Sequence, residues 1–73
     1  MALPMDLSGR ELRRALERIG FVYQRQRGSH MILRRDNPYS RVVVPDHKTL
    51  MPGTLRQILH EAGIDVEKLR RLL

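Results

Sequence analysis

Phe21-Val22-Tyr23-Gln24-Arg25-Gln26-Arg27-Gly28-Ser29-His30-Met31-Ile32-Leu33-Arg34-Arg35 is the stretch whose reading decides the fold. It opens with β-favouring side chains and has no helical period, so Phe21 to Gln26 is predicted as a strand, turned at Arg27-Gly28. Ser29 to Arg35 is predicted as the returning strand. If Met31 and Leu33 face a core, alternation sends His30, Ile32 and Arg34 to the opposite side. The chain then passes through Asp36-Asn37-Pro38-Tyr39-Ser40, a cluster of turn formers, into Arg41-Val42-Val43-Val44, a third strand stopped by Pro45. The expected product is an antiparallel meander.

Helical signals flank this meander on both sides. Ser8 fits an N-cap, Glu11 closes a capping box, and Leu7 with Leu12 forms a hydrophobic staple, so a helix should begin at Gly9. Leu12, Ala15, Leu16 and Ile19 make its apolar stripe, Gly20 stops it, and Arg10, Arg13, Arg14 and Arg18 fall elsewhere as a solvated face. Pro45-Asp46-His47-Lys48-Thr49 has no periodicity and reads as a loop. A second helix follows, with Pro52 at its first position, Leu55, Ile58, Leu59 and Ala62 on one stripe, and Gly63 as stop. Asp65 caps a short final helix with Leu69, Leu72 and Leu73 on its apolar side and Ile64 with Leu69 as staple. The predicted class is α+β, ordered α-β-β-β-α, with both long helices on one face of a three-stranded sheet and the other face open. That is the architecture of double-stranded-RNA-binding domains.

A chain of 73 residues has room for one domain, taken here as residues 1–73. It has no cysteine, which excludes disulfides and thiolate metal sites and fits a reducing cytoplasm. With three aromatic residues, base-stacking platforms are not expected, and any nucleic acid should be held by its backbone. The formal charge of +6 sets 14 basic side chains against 8 acidic ones. A polyanionic partner is implied: nucleic acid, an acidic membrane surface or an acidic protein, with mere solubility as the bland reading. No apolar run approaches a membrane span, and Met1-Ala2-Leu3-Pro4-Met5-Asp6 lacks a signal-peptide pattern, so a soluble cytoplasmic protein is expected.

Chemistry concentrates where His30 follows the Gly28-Ser29 turn between arginines. An imidazole there could act as general base on a ribose hydroxyl, with Arg25, Arg27, Arg34 and Lys48 as the cations that meet phosphate. Against this stands the plain alternative of an exposed polar residue on a strand. His47 is a secondary candidate, as acid for the leaving oxygen, although a hydrogen-bonding role in its loop is the simpler reading; His60 falls on the polar side of its helix as a bystander. A metal centre is disfavoured, because the histidines are 17 and 13 residues apart, without cysteine or a carboxylate cluster.

Gly9-x-Glu11-Leu12, Leu16-x-x-x-Gly20-Phe21, Arg25-x-x-Gly28-Ser29-His30, Val42-x-Val44-Pro45-x-His47 and Pro52-Gly53-Thr54-Leu55-x-x-Ile58-Leu59-x-x-Ala62-Gly63, in this order, resemble HicA-type toxins over roughly residues 7 to 72. The resemblance implies an mRNA interferase of a type II toxin–antitoxin system. It implies His30 as catalytic residue, no cofactor, RNA-binding roles around Gly28 and Ser29, and an acidic HicB-type antitoxin over the His30 face. The match is looser at Lys48-Thr49-Leu50-Met51, and at Met31-Ile32-Leu33, where an aliphatic run leaves Ile32 as an expected exposed contact for a partner. The alternative to an enzyme is a non-catalytic RNA-binding module of the same fold.

Overall fold

The Ser8 N–H donates to the Glu11 carboxylate and the Glu11 N–H donates to the Ser8 hydroxyl, each over 3.0 Å, closing the capping box that starts α1 (Gly9–Glu17). In the computed structural model, which describes residues 3, 4 and 6–73, there follow β1 (Val22–Arg27), β2 (His30–Asp36), β3 (Tyr39–Pro45), α2 (Pro52–Ala62) and α3 (Val66–Leu72). Met1, Ala2 and Met5 of the start searched for a signal-peptide pattern lie outside the described residues. The three strands pair antiparallel in the order β1-β2-β3, as the meander required. No helix among the described residues is long and apolar enough to cross a membrane.

The core lies between the sheet and the helices. Leu12 and Leu16 from α1, Leu33 and Met31 from β2, Val42 and Val44 from β3, and Leu55 from α2 are all essentially sealed from solvent. Truncating any of these leucines to alanine would cost about 2–5 kcal/mol, a large part of what a domain this small possesses. The end of α2 is satisfied from the sheet: Ser40 Oγ donates to the Glu61 carbonyl at 2.6 Å, and Arg35 Nη2 donates to that of Ala62 at 3.1 Å. Both meet carbonyls left open at a helix end, and the cationic Arg35 also suits its negative pole. Asp65 accepts from the Lys68 N–H at 2.8 Å to start α3, and Arg18 reaches the Leu72 carbonyl to tie α3 to α1.

Several expectations shift by local geometry. The first hairpin turns at Gly28-Ser29 rather than Arg27-Gly28, because Arg27 and His30 pair directly and leave two residues between them. The second turn shrinks to Asn37-Pro38, since Tyr39 already pairs with Asp36, and β3 therefore runs longer than Arg41–Val44. Leu73, expected on the apolar side of the last helix, is 51% exposed, because α3 ends at Leu72 and only Leu69 reaches the core fully.

The two largest corrections concern the open face. Ile32 does point there, opposite Arg25 and Val43, yet it is only 5% exposed and is no contact surface for a partner. It sits mid-strand on the central strand and lines one hollow with the longer side chains of Arg25, Arg34, Tyr39 and Arg41, residues of the kind whose stems shield apolar surface. In β1 the register shifts between Tyr23 and Arg25, leaving Gln24 unpaired as a β-bulge. The bulge resolves a conflict of alternation: Tyr23 faces the helices opposite Leu33, while Arg25, two residues on, faces the open side opposite Ile32.

Candidate nucleic-acid interface

Gly28 has φ of 59° and Ser29 does not share this positive angle, the pattern of a two-residue II′ hairpin, which needs glycine at its first central position. The tight turn sets Arg27 and His30 directly across from one another, and His30 meets Pro45 on its other side. Side chains in such cross-strand pairs are about 5 Å apart at Cβ. Above this row the open face continues as Arg25, Ile32 and Val43, then Val22, Arg34 and Arg41, then Asp36 and Tyr39. Four arginines thus share one sheet face with a single carboxylate.

His30, Arg25 and Arg27 are exposed, and among the described residues none of their side chains makes a hydrogen bond or ion pair. Gly28 and Ser29 are exposed as well, and both contribute carbonyls to a network behind the turn rather than to the open face. Arg34 is engaged, with Nε 2.9 Å from Asp36, in an exposed pair that contributes little and can exchange for another anion. Lys48 and His47 do not join the rows. They line a separate hollow with Ser8, Arg10 and Asp46, beside the start of α1. The expected cluster is therefore gathered in its sheet members and divided from its loop members.

The network behind the turn centres on Asp46. Its backbone N–H donates to the Ser29 carbonyl at 2.6 Å, and its carboxylate accepts from Arg10 Nε at 3.1 Å and from Gln26 Nε2 at 3.3 Å. Gln26 Nε2 also donates to the Gly28 carbonyl at 3.0 Å, so both turn carbonyls are held from the same place. The Arg10 guanidinium, by hydrogen bond first and charge second, holds the Asp46 carboxyl below the usual carboxylate range. Gly9 completes the junction. Its N–H donates to the His47 carbonyl at 2.9 Å, and a Cβ there would overlap the Pro45 carbonyl oxygen, so this approach of α1 to the loop requires glycine.

A family model described as the HicA toxin of bacterial toxin–antitoxin matches residues 9–64, from the first residue of α1 to just past α2. The chain belongs to the HicA toxin family. No curated protein sequence matches it. As a HicA-family toxin it is one half of a toxin–antitoxin pair, and an antitoxin is its implied partner. The matched span contains the sheet, the Gly28-Ser29-His30 turn and the Asp46 junction; α3 lies beyond it.

Within this HicA domain, sequence reasoning passed over four residues that the fold brings to the region: Gln26 and Asp46 behind the turn, Arg41 and Tyr39 on the open face. Asp46 carried a signal, as the sole acid between Asp36 and Glu61, set against Pro45 and His47. Arg41 carried one as well, since alternation against Val42 and Val44 in the predicted third strand sends it to the open face, whereas Tyr39 carried none, because it was read as part of the turn cluster that hid the start of β3. Among the described residues no three His, Asp or Glu side chains come together in a way that could hold a metal ion.

Proposed function

We propose that this HicA-family toxin is a metal-independent endoribonuclease that cleaves mRNA with His30 as its catalytic residue. The observation that carries the reading is the position of His30: an exposed imidazole on an uncovered sheet face, directly across from Arg27 and followed by Arg25, Arg34 and Arg41. His30 takes the proton from a ribose 2′-hydroxyl, and the 2′-oxygen attacks the adjacent phosphorus. The bond from phosphorus to the 5′-oxygen breaks, leaving a 2′,3′-cyclic phosphate, and the departing oxygen takes a proton to become a 5′-hydroxyl. Arg27 and Arg25 stabilise charge gathering on the phosphate. Arg34 and Lys48 extend the grip on neighbouring phosphates, and Gly28 and Ser29 give the strand a close approach to the turn. His47 stands in the adjoining loop as the candidate for returning the proton.

A single positioned base contributes typically ~10²–10⁴-fold, which suits slow cleavage that arrests growth rather than rapid digestion. The antitoxin in this reading is an acidic protein of the HicB type that covers the His30 face, with the pair acting in the cytoplasm. Purified protein incubated with unstructured RNA and a chelator should cut it, and His30→Ala should abolish both cutting and growth inhibition while leaving the melting temperature nearly unchanged. Full cleavage by the His30→Ala chain would remove His30 from the reaction. RNA binding without cleavage by the wild-type chain would leave a binding module of the same fold.

A further inference from the structure

All three aromatic rings lie within the described residues, and two have a face already taken. Arg13 stands 4.0 Å over the Tyr23 ring and Arg35 stands 4.6 Å over Phe21. Tyr39 differs: it is 67% exposed, on the open face, with no such partner among the described residues. It borders a hollow shared with Arg25, Arg34, Arg41, Gln24 and Ile32. The burial of Ile32 explains why this hollow exists, since an isoleucine on an uncovered sheet face reaches 5% exposure only where neighbouring stems fold over it. Three arginines thus border one hollow that Ile32 also lines, against the single carboxylate of Asp36 beside Arg34.

Along β2 the Arg34–Arg41 row lies four residues from His30 and the Tyr39 row six, or about 13 Å and about 20 Å at strand spacing. Resting on the reading of the protein as an RNA-cleaving toxin, we propose that Arg25, Arg34, Arg41 and Tyr39 form a second subsite for single-stranded RNA on the same face as His30. The guanidinium groups hold a phosphate of the bound strand, and an unstacked base lies on the Tyr39 ring. A phosphate alone would leave the exposed aromatic without a role, and duplex RNA, whose bases are stacked on each other, offers the ring no face. The bound strand therefore runs along β2, with the scissile phosphate at the Gly28-Ser29 end and this nucleotide at the Asn37-Pro38 end.

The test uses the full chain carrying His30→Ala, which keeps the RNA intact, titrated with a short labelled oligouridylate. Tyr39→Ala should weaken binding about tenfold, the scale of one base stacked on an aromatic side chain, and Tyr39→Phe should restore it. Arg41→Ala should reduce the slope of log affinity against log salt by about 0.7, the value for one phosphate contact to a single strand. An abasic oligonucleotide of the same length should lose its sensitivity to Tyr39→Ala and keep its sensitivity to Arg41→Ala. Affinity of the Tyr39→Ala and Arg41→Ala chains equal to that of the His30→Ala parent would overturn the subsite, as would a Tyr39→Phe chain no better than the alanine variant. Unchanged RNA affinity with lost affinity for the cognate antitoxin would assign the hollow to protein recognition and equally overturn it. If the His30→Ala parent binds no RNA at all, the underlying RNA reading fails with it; if the parent binds and the variants bind alike, only the subsite fails.

Discussion

Asp46 clamps Ser29: its backbone N–H donates 2.6 Å to the Ser29 carbonyl while its side chain bonds Arg10 of α1 and Gln26 of β1. The residue immediately before His30 is thus fixed to both the first helix and the neighbouring strand, and the imidazole inherits its direction from that junction.

Asp46→Ala keeps the N–H that holds Ser29 but removes the carboxylate anchors to Arg10 and Gln26 that hold Asp46 itself, and should slow RNA cleavage by about ten- to a hundredfold, the order that a small misplacement of a catalytic group costs, with little change in RNA affinity. Single-turnover rates set beside binding titrations will separate the two effects. A variant that loses affinity and keeps its maximal rate would make Asp46 part of the RNA grip instead.

Acid should loosen the same region. Asp46 is held below the usual carboxylate range by Arg10, and Glu11 is held below it by the Ser8 backbone N–H and then its hydroxyl. A carboxyl depressed in the folded state stabilises it above the ordinary carboxylate range and ceases to do so as pH falls through the depressed value. Stability should thus be level above about pH 5 and fall from about pH 4 downwards. Thermal melts of the Glu11→Gln, Asp46→Asn double variant should be lower at neutral pH and visibly flatter across the acid range; an equally steep acid loss there would assign the effect to other carboxyls.

Two glycines in first helical turns should respond in opposite ways to alanine. Gly9→Ala drives a methyl group into the Pro45 carbonyl and should destabilise by about 1–3 kcal/mol, the usual cost of overpacking. Gly53 has nothing within 4 Å of its would-be Cβ, and Gly53→Ala should stabilise by about 0.4–1 kcal/mol. Denaturant titration of both variants decides the matter, and similar midpoints would contradict the close approach at Gly9.

Charge reversal should report on where the antitoxin sits. If an acidic antitoxin covers the open face, Arg27→Glu should slow association and reduce its dependence on salt, with a smaller change in the dissociation rate. The apolar part of that contact falls to Val22 and Tyr39, 59% and 67% exposed, and not to Ile32. Stopped-flow association at two salt concentrations gives the answer; an unaltered rate, with hydrogen-exchange protection confined to the helices, would place the antitoxin elsewhere.

Much of this was legible in the chain because local signals agreed with the fold. Ser8 and Glu11, Gly63 after Ala62, and the alternation of Met31 and Leu33 against His30 and Arg34 each specify their element from a few neighbouring residues. What stayed hidden depends on residues distant in sequence. That Ile32 is covered goes with a hollow it shares with residues of all three strands, and no run of β2 alone records it. The role of Asp46 needs α1, β1 and the loop after β3 to converge, a meeting of positions 10, 26 and 46. Leu73 was misread for the opposite reason, since its helical spacing is correct and the helix merely ends before it.

The unpaired Gln24 has a bearing on how freely this chain tolerates changes in length. Losing one residue from a strand ordinarily turns over every side chain beyond it, which in a two-faced sheet exchanges core for surface. In β1 the surplus residue is already excluded from the ladder, so its removal would join Tyr23 to Arg25 as ordinary neighbours on opposite faces. The aromatic ring would keep its place under Arg13 and the arginines theirs beside His30. Chains one residue shorter at this point can therefore carry the same two faces, and an alignment gap beside Gln24 is the mark such chains would leave.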